Sequence, residues 1–76
     1  MQELLDYVLK SMVSHPDDVK IETTADEEST VFNVTLHEED KGLVIGKGGR
    51  TIKAIRNILA VIAMQERKKV FVKIVD

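Results

Sequence analysis

The residues best placed to do chemistry are Gly46-Lys47-Gly48-Gly49, three glycines in four positions, with Arg50 next and Lys53 one helical turn on. Glycine admits positive φ and lets a backbone come close to a ligand. Where such a turn opens a helix, unpaired N–H groups and the positive end of the helix dipole face outward. Phosphate suits that arrangement. A plain helix–helix turn needs one glycine, not three bracketed by Lys47 and Arg50.

Two nucleotide motifs do not fit. A P-loop places four residues between its glycines and then Lys and Ser or Thr, whereas Gly42 and Gly46 enclose three and Gly48 follows Lys47. The dinucleotide fingerprint G-x-G-x-x-G would need glycine at Thr51 and a strand before the turn. A helix is predicted there instead.

Other chemistry is sparse. His15 and His37 read as isolated, with no second histidine or carboxylate at ligand spacing, so no metal or cofactor is expected. Asp17-Asp18 and Glu38-Glu39-Asp40 border helices, where capping or solvation accounts for them better than paired-carboxylate catalysis. Ser11, Ser14 and Ser29 lack a nucleophile's setting, and there is no cysteine. An enzyme is not expected. Tyr7, Phe32 and Phe71 are the only aromatics, and each is read as core or half-buried rather than as a stacking platform.

Net charge is −2, but its distribution is uneven. Residues 1–40 hold eleven acids against Lys10 and Lys20, whereas residues 41–56 hold Lys41, Lys47, Arg50, Lys53 and Arg56 with no acid. The basic block coincides with the glycine cluster, as a nucleic-acid footprint would. The longest apolar run, Ile58–Met64, is far short of the roughly 20 residues that span a bilayer. Acidic Glu3 stands where a secretory signal carries positive charge. The absence of cysteine fits a reducing compartment. A cytoplasmic location is expected.

The elements that must position the glycine turn follow from periodicity. Leu4, Leu5, Val8, Leu9, Met12 and Val13 recur at helical spacing and predict a helix over 2–14, ended by His15-Pro16. Val19, Ile21 and Thr23 alternate with polar residues, as do Phe32, Val34 and Leu36, predicting strands at 19–24 and 30–36 joined as an antiparallel hairpin. A short helix over 40–45 leads into the 46–49 loop, and a longer one over 50–67 carries Ile52, Ile55, Leu59 and Ile62 on one face. Residues 70–75, rich in β-branched side chains, read as the last strand. The expectation is a single α+β domain over 1–76, with helices on one face of a three-stranded sheet.

Val44-Ile45-Gly46-Lys47-Gly48-Gly49-Arg50-Thr51-Ile52 resembles the G-x-x-G segment of KH domains, with its aliphatic pair before and isoleucine after. The predicted order of elements resembles the type II KH form along the whole chain. The length is similar to that of the small stand-alone bacterial KH proteins of the KhpA (YlqC) group. The resemblance implies a narrow groove for about four unpaired nucleotides of single-stranded RNA. In it Gly46, Lys47, Gly48 and Gly49 clamp the backbone, and Arg50 and Lys53 meet phosphates. Ile45 and Ile52 line or support its floor. Many family members carry a charged or polar residue where Gly48 stands, so weak, salt-sensitive binding of low sequence specificity is expected. The group is linked to RNA regulation, RNA chaperoning and cell elongation, and to partnership with a larger KH-containing protein.

A second reading makes the chain a protein-interaction module with RNA contact secondary. Ala54, Ile58 and Val61 form an apolar line rotated well away from the core face of the long helix. Either the first helix covers that line, or a second copy meets it and forms a homodimer.

Overall fold

The computed structural model describes residues 1–75. Its architecture is α+β, with three α-helices on one face of a three-stranded mixed sheet. Helix α1 (Gln2–Met12) buries Leu5 and Leu9. It stops short of the predicted end because the chain is captured elsewhere. The N–H groups of Ser14 and His15 donate to the two carboxylate oxygens of Asp40, at 3.0 and 2.9 Å. Asp40 is itself buried, so what reads as a solvated acidic cluster includes an internal tie between the end of α1 and helix α2.

Strands β1 (Lys20–Ala25) and β2 (Ser29–Thr35) form the expected antiparallel hairpin. Asp26 shapes its turn by accepting from the N–H groups of Glu28 and Ser29. β2 is central, and Thr30, Phe32 and Val34 point from it into the core. β3 (Lys69–Val75) lies parallel to β2 with Phe32 beside Val72, and forms one edge of the sheet.

Helices α2 (Glu38–Ile45) and α3 (Arg50–Gln65) bridge β2 and β3. α2 begins two residues before its predicted start, because the His37 side chain caps it by accepting from the Glu39 N–H. α3 buries Ile52, Ile55, Leu59 and Ala63, while Ile62 is only half-buried. α1 packs beside the Ile55–Leu59 flank of α3 and leaves Ile58 and Val61 54% and 59% exposed. The competition between first helix and second copy for that line therefore ends with α1 covering only its border.

Candidate nucleic-acid interface

The loop between α2 and α3 combines three backbone requirements within four residues. Gly46 has φ 78° and ψ 170°, a region essentially confined to glycine. Gly48 and Gly49 are left-handed, at φ 67° and 76°. A Cβ on Gly46 would collide with Thr51, whereas one on Gly48 or Gly49 would meet open space. Lys47 and Gly48 stand exposed at the tip.

The electrostatics follow from where α3 starts. α1 and α2 both place acids in their first turn, as the helix dipole favours. α3 has none there and instead begins with Arg50, with Lys53 one turn along and Lys47 just before. Three cations at the positive end of a dipole repel it and one another unless an anion sits among them.

One turn further along α3, a groove of about 400 Å³ opens between the helix and the exposed edge of β3. Arg56, Asn57 and Ala60 form its helical wall, on the same flank of α3 as Lys53 by the 100° helical step. Val70 to Lys73 form the strand wall. Arg56 reaches across it, donating from Nε and Nη2 to the Val72 carbonyl at 3.2 and 2.9 Å. That carbonyl therefore faces the groove, and by strand alternation those of Val70 and Ile74 do too. An edge strand with open polar groups is a hydrogen-bonding template.

The sequence-predicted residues fall into place unevenly. Gly46, Lys47, Gly48, Gly49, Arg50 and Lys53 lie together in the loop and the first turn of α3, and none of them lines the groove itself. Ile45 is 38% exposed beside the loop, whereas Ile52 is buried and belongs to the core beneath it. Arg56, Asn57 and the β3 edge were not singled out from sequence. The helical repeat Lys53, Arg56, Asn57, Ala60 was the available signal. Ala54, Ile58 and Val61 lie exposed on the back of α3, away from the groove.

The histidines are not isolated. His15 and His37 stack with ring centroids 3.8 Å apart, and Glu39 lies close enough for one ligand atom of each to fall within 4.8 Å of the others. The Asp40 tie brings them together, a tertiary effect that spacing cannot show. His37 Nδ1 already serves as the acceptor that caps α2, so Nε2 carries its neutral-form proton. Binding a metal there would sacrifice the cap. The Asp40 carboxyl is held below the ordinary aspartate range, chiefly by the Ser14 N–H and further by that of His15, against the opposing effect of its burial.

The aromatics divide three ways. Phe32 is core, but Tyr7 is 71% exposed, which corrects its reading as core or half-buried. Phe71 is 49% exposed on the solvent face of β3.

The KhpA/KhpB KH-domain model matches residues 2–74. The chain belongs to that family. An RNA-binding protein KhpA from Clostridium perfringens is 43% identical over 75 residues, which cover 99% of this chain and all of the relative. Its namesake from Clostridium acetobutylicum is 40% identical over the same coverage. The one from Thermotoga maritima is 39% identical over 99% of both chains. Comparison with solved structures finds no significant match. Within this fold the glycine loop joins the two helices that bridge a parallel strand pair, beside an open strand edge. No helix among the described residues is long and apolar enough to cross a membrane.

Proposed function

We propose that the chain binds short single-stranded RNA segments in the groove between α3 and β3, as a binding protein and not a catalyst. The observation that carries this is the start of α3, where Lys47, Arg50 and Lys53 replace the acids that open the other helices. Phosphates supply the missing anion. Gly46 to Gly49 let the RNA backbone approach, and Ile45 offers apolar surface beside them. Bases then turn toward the β3 edge, where open carbonyls, Arg56 and Asn57 meet their polar rims. A duplex keeps those rims paired, so the groove selects unpaired strands. The names of the relatives support RNA as the ligand. Photocrosslinking to an unstructured oligonucleotide tests the reading. Adducts confined to residues 45–57 and 69–73 support it, and adducts only on α1 and β1 overturn it.

A second copy on the back of α3 completes the proposal. Leu4, Tyr7, Ile58 and Val61 are all exposed along α1 and α3, and Ala54 is small enough for close helix approach. Burying them in a homodimer, or against a similar domain of a larger KH protein, leaves both grooves open. Such a protein acts in the cytoplasm after transcription, as a regulator or RNA chaperone, and a part in cell elongation belongs to the same reading.

A further inference from the structure

The groove does not end at Arg56. It continues along the same helix and strand into a second section of about 270 Å³, reaching Met64, Lys68 and Lys69. Ala60, Val70 and Phe71 border both sections. Phe71 is the junction. Its position alternates with buried Val72, so the ring stands on the solvent face of an edge strand, paired in register with Val31 and half exposed. Lys69 and Lys73, two positions to either side, share that face, and Lys68 precedes them at the strand's start. Ala60, across the groove, lies about 15 Å along α3 from Arg50, at roughly 1.5 Å per residue.

An exposed aromatic between lysines, at the rim of a groove proposed to hold RNA, has a specific use. Bases stack on aromatic faces whatever their identity, while cations beside the ring hold the backbone. The stretch Arg67 to Lys73 carries four cations and no acid, a charge that complements RNA and not an acidic protein. Glu22 is the acid across the solvent face, and Asn33 separates it from Lys73.

We infer that Phe71 is a second RNA contact, where a base beyond those held at the glycine loop stacks on the ring while Lys68 and Lys69 engage its phosphates. This rests on the groove reading above and extends it to a longer footprint. Short RNAs then use the clamp alone, and longer ones use both.

The test titrates labelled tetrauridylate and decauridylate against the parent, Phe71→Ala, Phe71→Trp and a Lys47→Asp/Gly48→Asp variant. Phe71→Ala is expected to weaken decauridylate binding about 5- to 100-fold and tetrauridylate binding far less, and equal losses on both RNAs would overturn the second contact. Phe71→Trp is expected to keep the affinity. Because the chain has no other tryptophan, its fluorescence reports the site, quenched more strongly by the decamer than by the tetramer. If Phe71→Ala binds both RNAs like the parent while the clamp variant loses both, the second contact is wrong and the clamp stands. If neither variant loses affinity, the groove reading fails and takes this one with it. If Phe71→Ala changes only the oligomeric state, the ring is a protein contact and the inference is overturned.

Discussion

Gly46 and Thr51 face each other across the glycine loop so closely that a Cβ on Gly46 would lie 2.7 Å from the Thr51 Cβ. The backbone of Gly46 is also in a region that other residues enter at a cost of about 1–3 kcal/mol. Gly46→Ala is therefore expected to lose roughly 2–4 kcal/mol once the overlap is added. Gly48→Ala, with open space around it, should lose about 1–2. Chemical denaturation of the two variants checks the order.

The same contrast makes the loop tip a clean place to abolish binding. Lys47→Asp/Gly48→Asp puts two carboxylates where phosphates would lie, and aspartate is among the residues that tolerate a left-handed backbone. Circular dichroism should remain that of the parent while RNA affinity disappears. A folded double variant that binds RNA as the parent does would place the site elsewhere.

Charge predicts the response to salt. If Lys47, Arg50 and Lys53 each neutralise one phosphate, log affinity should fall against log salt with a slope of roughly −2. A duplex of equal length should bind more weakly. Titrations of both at several salt concentrations read the two together, and a flat response or a preference for duplex contradicts the groove.

Val61→Asp introduces a charge on the exposed back of α3 without touching the core. It should convert a dimeric parent into a folded monomer that still binds tetrauridylate. Light scattering at micromolar concentration decides this, and a monomeric parent ends the dimer reading.

Asp40 predicts acid sensitivity. Its carboxyl titrates lower folded than unfolded, so the stability it contributes is fully present above the unfolded value of about 3.9 and is lost as pH falls through the lower folded value. Asp40→Ala should melt lower at neutral pH, and its melting temperature should fall less on acidification than the parent's. Thermal melts from pH 7 to strongly acidic buffers compare the slopes.

Much of this was legible from local pattern. Alternation at Phe32 and Val34, and helical spacing at Ile52, Ile55 and Leu59, correspond to buried faces, and the glycine cluster does lie between two helices. What escaped was what depends on distant chain segments meeting. Asp40 looks like its neighbours Glu38 and Glu39 until the end of α1 arrives to donate two N–H groups. His15 and His37 become a pair through that same meeting. Arg56 reads as one more surface cation, because its partner is a backbone carbonyl that no side-chain pattern reveals. Ile52 fits either floor or core by spacing, and only the packing of α3 on the sheet assigns it to the core.

The parallel pairing of β2 with β3 sets Ser29 against Lys69 and Thr35 against Val75, with both bridging helices looped out between them. Such pairing must overcome a long loop closure before any contact repays it, which slows folding relative to a local hairpin. The β1–β2 hairpin can form early, but β3 can join only when α2 and α3 have been gathered onto the sheet. Because β3 is also one wall of the groove proposed for RNA, a nascent or truncated chain lacking it would carry the glycine loop without that wall. If the groove is the RNA site, competence for RNA is acquired in the same step that closes the fold.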